Sequence, residues 1–253
     1  MRRWQIKLSS LVLSMDLAEL CCSNAARHAL LYSWAGAVER PACRRSVMAD
    51  GATSTLSGKR YQVLVIDPPW NQGKTGKRTA RPNQGTMLDY PTLSKAQLLE
   101  LPVKEWADDS AFLWLWATNS KDRKTGEPVL RTAFDLMEEW GFTFYTMITW
   151  NKRTGPCPFG PYQVITEHVL FGYRGKAIFD RECLGKMQTC FTETPTVHSA
   201  KPDSFYQQIA RYFGGNRLDI FARQVREGFD GWGNEYGTLT TQAKRANQRI
   251  GSA

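Results

Sequence analysis

The chain has 253 residues, of which 42% are hydrophobic and 23% are charged. This balance is ordinary for a globular protein and excludes the disordered and fibrous classes. The length suits one α/β domain with a sizeable core. The formal net charge of +9 favours an anionic partner, nucleic acid first, and no apolar run reaches the length of a membrane span.

The cysteines and histidines of the chain do not predict a metal site. Six cysteines show no paired spacing of the zinc type, and there are only three histidines. Unpatterned cysteines in a long chain are typical of a reducing compartment. We therefore expect a cytoplasmic protein without a metal.

Residues 1–47 differ in character from the rest of the chain. Their weak apolar stretch is interrupted by Asp16 and Glu19, which disfavours a secretory signal. A poorly ordered extension or translated sequence upstream of a true start at Met48 fits better. Residues 48–60 are small and polar, which predicts a linker. The catalytic domain is expected at 61–237, followed by a basic polar tail at 238–253.

The run Val63-Leu64-Val65-Ile66 predicts a short strand buried on both faces, which ends in the turn Asp67-Pro68-Pro69-Trp70. Each proline fixes its own φ and disfavours helical geometry in the residue before it, so the strand end is stiff. The turn offers a carboxylate, proline carbonyls that we expect to have no competing N–H, and a flat ring. These groups are suited to hold an amino group on a planar base, with the ring stacked on it.

The turn also explains how such an amino group could react. The exocyclic amine of adenine is a poor nucleophile because its lone pair is delocalised into the ring. Two acceptors, Asp67 and a proline carbonyl, would draw the nitrogen toward tetrahedral geometry and free that lone pair for attack on a sulfonium methyl. Positioning and electrostatics would then carry the rate. The alternative is an ordinary proline-rich turn, which the rarity of this four-residue sequence disfavours.

Two loops rich in glycine, proline and cations follow. The first, residues 71–82, contains Lys74, Lys77, Arg78 and Arg81, and the second, residues 151–162, begins with Lys152 and Arg153 among aromatic residues. Loops of this kind could meet phosphates and close over a substrate. A solvated surface loop is an equally good interpretation of the first, and a rigid surface turn of the second.

The remaining elements alternate between strands and helices. Helices are predicted after Ser94, after Pro128 and after Pro202, and strands at 111–117, 142–150, 166–175 and 218–223. Lys201 beside the last helix start would make an anion site for the carboxylate of an amino-acid cofactor. Arg223 would lie at the carboxyl end of its strand, where open α/β sheets bind ligands.

The Asp67–Trp70 motif resembles the catalytic motif of the N6-adenine methyltransferases related to the catalytic subunit of the eukaryotic mRNA adenosine methyltransferase. Lys201-Pro202, Leu218–Arg223 and Gly228–Glu235 resemble further blocks of that family in the same order, with the ending typical of its bacterial and phage branch. The resemblance implies a Rossmann-like α/β class I methyltransferase fold with a largely parallel central sheet and a permuted motif order.

The resemblance also implies S-adenosylmethionine as the cofactor. It assigns the catalytic role to Asp67, Pro68, Pro69 and Trp70. It assigns cofactor binding to a set drawn from the same strand end and the later blocks: Ile66, Asp67, Lys201, Arg223, Asn234 and Glu235. The chain departs from the eukaryotic branch, because Val225 and Arg226 stand where that branch has His and Asn.

The sequence therefore predicts S-adenosylmethionine-dependent methylation of adenine N6 in nucleic acid, with DNA favoured over RNA. An RNA methyltransferase and a non-catalytic nucleic-acid-binding subunit of the same fold are the alternatives, and methylation of a protein amide is a third that Trp70 disfavours. The expected partner is nucleic acid and not a membrane. A homodimer and a heterodimer both stay open.

Overall fold

The structure is a computed structural model of the chain, and it describes residues 56, 58–72, 91–153, 161–195 and 200–238. The predicted extension 1–47, most of the linker 48–60 and nearly all of the tail 238–253 lie outside the described residues. The predicted domain boundaries at these places stay predictions.

A seven-stranded sheet forms the centre of the domain, in the order β5-β3-β4-β2-β1-β6-β7. Four neighbouring pairs are parallel, and β4 runs antiparallel to both of its neighbours. The predicted α/β fold with a largely parallel sheet is thus confirmed. The strands are β1 (Tyr61–Ile66), β2 (Ala107–Thr118), β3 (Thr143–Asn151), β4 (Thr166–Arg174), β5 (Cys190–Thr192), β6 (Arg217–Ile220) and β7 (Asp230–Trp232).

The strand directions bring several chain segments to one edge of the sheet, which we call the carboxyl edge. The carboxyl ends of β1, β2, β3 and β6 meet there, and so does the amino end of β4, because β4 runs the other way. The register fixes the arrangement: Ile66 is opposite Ile220, and Thr118 is opposite Glu167. Residues far apart in sequence therefore share this edge.

Helices cover both faces of the sheet. They are α1 (Lys95–Leu99), α2 (Val103–Trp106), α3 (Val129–Glu139) and α4 (Asp203–Tyr212). Side chains alternate between the faces of a strand. Ile66 accordingly packs in one core cluster with Leu136 of α3, while Val65 packs in the other with Ile209 of α4. Among the helices of the described ranges, none combines the length and the apolar character that crossing a bilayer requires.

The observed elements follow the order of the predicted ones, but α2 and β5 were not predicted, and two further differences concern β6 and β7. The predicted strand 218–223 ends early, at Ile220, because Phe221 turns into the left-handed region with φ 65°. It is also not the last strand: Asp230–Trp232, within the glycine-rich block, forms β7 beside β6. The Phe221 backbone approaches Gly233 closely: a Cβ added at Gly233 would lie 2.8 Å from the Phe221 Cα.

Candidate active site

Asp67 stands at the carboxyl edge, directly after β1. Its backbone N–H donates to the carbonyl of Ile220 at 3.2 Å, which ties the end of β1 to the end of β6. Because side chains alternate along a strand and both Val63 and Val65 pack with α4, Asp67 projects on the α4 face of the sheet. Its side chain is 23% exposed, so the carboxylate is held by the fold and still reachable.

Lys201 lies two residues before α4 and bridges two carboxylates. Its Nζ is 3.0 Å from Asp67 Oδ1 and 2.9 Å from Glu167 Oε2, and 4.9 Å from the centroid of the Trp116 ring. Burial alone would lower the pKa of Lys201, but Asp67 and Glu167 outweigh it and raise the pKa above its ordinary value. Lys201 is therefore a buried ammonium that orients Asp67.

Glu167 is the second residue of β4 and connects two lysines. Its Oε1 accepts from Lys152 Nζ at 3.0 Å, and its Oε2 accepts from Lys201. Burial alone would raise the pKa of Glu167, but the two lysines lower it to about 2. Asp67, Lys201, Glu167 and Lys152 thus alternate in charge and sum to zero, an arrangement in which each buried charge has a partner.

A second polar cluster lies on β6 and α4. Asp219 is 2% exposed; its Oδ2 accepts from Arg226 Nη1 at 2.9 Å, and its Oδ1 accepts from the Tyr206 hydroxyl at 3.4 Å. Burial raises the pKa of Asp219 to about 7; Arg226 opposes this rise and the charge of Asp67 adds to it. The carboxyl of Asp219 is thus poised to titrate near neutral pH.

The two clusters border one cleft at the carboxyl edge, the place where open α/β sheets bind ligands. Its lining combines carboxylates, cations and two aromatic residues. The lining residues are Asp67, Ala200, Lys201, Tyr206, Asp219, Phe221, Ala222, Arg223, Gln224 and Arg226.

The proline carbonyls of the turn are not free of competing N–H groups, and that expectation was wrong. The Pro68 carbonyl accepts from the Trp70 N–H at 2.8 Å, and the Pro69 carbonyl accepts from the Leu93 N–H at 2.9 Å. The turn therefore forms one hydrogen bond within itself and another with the segment that precedes α1. A carbonyl oxygen has two lone pairs, so each can still accept one further hydrogen bond.

Trp70 contributes to the core beneath the turn. Its ring is 5% exposed and packs in the cluster that contains Ile66, and its Nε1 donates to the Trp116 carbonyl at 3.1 Å. The ring therefore fixes the turn against β2. Its predicted stacking on a base stays a prediction.

The predicted cofactor residues come together only in part. Lys201 and Arg223 line the cleft with Asp67, while Ile66 is fully buried behind it. Asn234 and Glu235 follow β7, where Asn234 is exposed and Glu235 half-buried. Their predicted contacts with the cofactor stay predictions.

The predicted nucleic-acid residues are described only in the second loop. Lys152 is 15% exposed and pairs with Glu167, whereas Arg153 is exposed, with its backbone N–H bonded to Asn151 Oδ1 at 2.9 Å. Lysine and arginine of the first loop lie outside the described residues: Lys74, Lys77, Arg78 and Arg81. The phosphate-binding role of all six stays a prediction.

Sequence reasoning missed four residues of these clusters: Tyr206, Asp219, Arg226 and Glu167. Asp219 gave a usable signal, because a carboxylate between Leu218 and Ile220 in a buried strand needs a partner. The others gave none by themselves, since their roles depend on contacts across the sheet.

With this geometry established, the comparisons with known proteins become informative. The family profile MT-A70 matches residues 61–235, which include β1, the Asp67 turn, Lys201, β6 and β7. The chain belongs to the MT-A70 family. MT-A70 proteins are methyltransferases of the Rossmann-like fold, so the predicted family, fold and enzyme class are confirmed.

Three relatives show how the similarity is distributed. The type II methyltransferase M.MunI from Mycoplasma sp is 30% identical over 197 residues, covering 71% of this chain and 79% of the relative. Human METTL4, an N(6)-adenine-specific methyltransferase, is 26% identical over 70% of this chain and 38% of its own length. MTA1 from Cryphonectria parasitica, an N6-methyladenosine RNA methyltransferase, is 25% identical over 69% of this chain and 51% of its own. The chain thus spans most of M.MunI but about half or less of the other two.

Proposed function

We propose that this MT-A70 protein transfers a methyl group from S-adenosylmethionine to the N6 amino group of adenine in nucleic acid, with DNA favoured over RNA. The observation that carries the proposal is the placement of the Asp67 carboxylate on the border of the cleft, held 3.0 Å from the Lys201 ammonium. A rigid, partly exposed acceptor beside a ligand cleft is what an amine nucleophile needs.

The cleft suits the proposed cofactor. S-adenosylmethionine carries an ammonium, a sulfonium and a carboxylate, and when bound it supplies the methyl group. The cleft walls offer Asp67 and Asp219 to the cationic groups, and Arg223 and the Lys201 ammonium to the carboxylate. Phe221 offers an apolar surface. The donor set thus matches a small zwitterionic ligand with excess positive charge.

The residues of this chain would act on the amine as follows. Asp67 accepts one N–H of the amine, and the free lone pair of the Pro68 carbonyl accepts the other, which localises electron density on N6. Lys201 and Glu167 hold the Asp67 carboxylate in one orientation, so that little reorganisation is needed during the reaction. The bound cofactor would supply the methyl group and leave as S-adenosylhomocysteine, and water or Asp67 would take the proton that the methylated nitrogen then loses.

The choice of DNA over RNA rests on similarity. M.MunI, named a type II methyltransferase, is covered over 79% of its length, against 51% for the RNA methyltransferase MTA1. Val225 and Arg226 also depart from the eukaryotic RNA-acting branch in the segment that follows β6. A base in a duplex would have to be flipped out to reach Asp67. A cytoplasmic site of action stays a prediction from the cysteine pattern.

The test is incubation of the purified protein with methyl-labelled S-adenosylmethionine and four polymers: single- and double-stranded DNA and RNA. Digestion to nucleosides should show label in N6-methyldeoxyadenosine, with unlabelled cytosine as the internal control. Label in RNA alone would reverse the polymer preference. Cofactor binding without label in any polymer would support a non-catalytic subunit, and label on protein would point to amide methylation.

A further inference from the structure

Arg226 is a cation beside the cleft with several polar contacts. Its side chain is 11% exposed, and its guanidinium lies 3.6 Å from the centroid of the Tyr206 ring. Nη1 donates to Asp219 Oδ2 at 2.9 Å, Nε lies 3.4 Å from Asp203 Oδ1, and Nη2 also contacts Gln224 Oε1. Removing one partner of such a buried ion pair would leave the other charge uncompensated.

The contacts of Arg226 join separate segments of the cleft wall. Asp219 belongs to β6, Tyr206 to α4, and Arg226 itself to the segment between β6 and β7. Nη2 reaches further, to the Lys201 carbonyl at 3.4 Å, just before α4. The side chain of the same Lys201 pairs with Asp67. Lys201 therefore connects Arg226 to the carboxylate that we propose to be catalytic.

We infer that Arg226 is a positioning residue of the cofactor cleft: it ties the segment after β6 to the start of α4 and keeps the Asp219 carboxylate ionised toward a cationic cofactor. The inference rests on the proposed function, because it assigns the cleft to S-adenosylmethionine. Planar pairing and ring stacking are properties of arginine that lysine does not share. The identity of this side chain therefore matters beyond its charge.

The groups that face Asp219 explain why its ionisation depends on Arg226. Tyr206 faces it from α4, the Asp67 carboxylate from the end of β1, and Arg226 from the following segment; Lys201 is engaged with Asp67. Of these, Arg226 is the group whose charge favours the ionised form of Asp219. Burial has already raised the pKa of Asp219 to about 7, so removing the guanidinium would leave the carboxyl protonated at neutral pH.

The experiment measures binding of S-adenosylhomocysteine, which retains the ammonium of the cofactor, by calorimetry from about pH 6 to about pH 9. The variants are Arg226→Gln, Arg226→Lys and Asp219→Asn, with Arg211→Gln as the matched control, since Arg211 is an exposed arginine of α4. Thermal melts confirm that each variant is folded. The wild type should bind more tightly as pH rises through the titration of Asp219.

For Arg226→Gln, affinity at neutral pH should fall about tenfold and the titration should move about one pH unit higher. Arg226→Lys should restore part of the affinity and part of the titration shift, Asp219→Asn should bind weakly at every pH, and the control should match the wild type. An unchanged titration, or an equal loss of affinity at all pH values in Arg226→Gln, overturns the inference. A wild type that binds no S-adenosylhomocysteine overturns the proposed function and the inference with it.

Discussion

The ammonium of Lys201 lies 3.0 Å from Oδ1 of Asp67, so the lysine predicted to bind the cofactor holds the carboxylate that we propose to be catalytic. This ion pair is 9% exposed on the lysine side and 23% on the aspartate side. It is therefore screened less than a surface pair. A cofactor carboxylate would meet Lys201 as an already paired cation, which makes orientation of Asp67 the role with direct structural support.

Replacing Asp67 by asparagine tests the central assignment. Asp67→Asn keeps the shape and one oxygen for Lys201, but it places an NH2 donor where the amine needs an acceptor. We expect turnover on adenine to fall by more than about 100-fold, the decrease typical of one missing transition-state hydrogen bond. The measurement is single-turnover methylation, with circular dichroism to confirm folding. Near wild-type turnover would remove Asp67 from the mechanism.

Glu167→Gln tests the link behind Asp67, that is, the ion pair between Glu167 and Lys201, which in turn holds Asp67. The neutral side chain would weaken the hold on both Lys152 and Lys201 while leaving the amine contacts in place. We expect turnover to fall roughly tenfold or more, as for residues that orient metal ligands, with cofactor affinity nearly unchanged. Glu139→Gln, at an exposed position of α3, is the control for net charge. Equal turnover of the two variants would show that the link is dispensable.

The same variant tests a pH dependence of folding. The pKa of Glu167 falls from an ordinary 4.5 to about 2 on folding, so its ionised form stabilises the folded state. That contribution is complete above pH 4.5 and disappears as the pH falls to about 2. Urea unfolding should thus show a less acid-sensitive midpoint for Glu167→Gln than for the wild type. Parallel curves would show that Glu167 ionises equally easily in both states.

The sequence was enough to predict that Asp67 lies at the end of β1, beside the cleft. It did not predict the ion pairs of Asp67 and Glu167 with Lys201. Two consecutive prolines after a buried strand restrict the backbone at Asp67 to extended geometry, and parallel strands place the cleft at their carboxyl ends. The Lys152–Glu167 pair depends instead on the antiparallel register that sets Trp150 opposite Glu167. Such a register follows from the packing of whole strands, and no local pattern specifies it.

Trp70 shows a second limit of sequence reasoning. An aromatic residue at a turn can face the core or the ligand, and the pattern of the turn is the same in both cases. The structure places its ring in the core and its Nε1 on the Trp116 carbonyl. Burial of this kind depends on the space left by β2, which only the assembled sheet defines.

The cations of the first loop give a test of nucleic-acid binding. Alanine at Lys74, Lys77, Arg78 and Arg81 should weaken binding and flatten its dependence on salt, with the slope falling by about one for each phosphate that is no longer neutralised. Cofactor affinity should not change. The control removes the same charge at exposed positions elsewhere: Lys176, Arg181, Lys186 and Arg211. A salt slope equal to that of the control would leave the loop as solvated surface.

The backbone conformation of Phe221 predicts that a glycine variant is more stable than an alanine variant at this position, the reverse of the usual order. Phe221 lines the cleft and has φ 65°, a conformation that costs a residue with a Cβ about 1–2 kcal/mol. Phe221→Ala removes the ring and keeps this cost, while Phe221→Gly removes both. Glycine should therefore be the more stable of the two in urea unfolding, by up to about 1 kcal/mol after its greater chain entropy is subtracted.

The same pair of substitutions at Gln208 is the control, since this residue is exposed and lies in the interior of α4. There alanine should be more stable than glycine by about 1 kcal/mol, as in any helix. Both Phe221 variants should bind S-adenosylhomocysteine more weakly than the wild type and equally so, because the ring that contacts Trp232 and borders the cleft is gone from both. Alanine more stable than glycine at Phe221 would show that the left-handed backbone carries no strain. Wild-type affinity in both variants would show that the ring of Phe221 does not contribute to binding of S-adenosylhomocysteine.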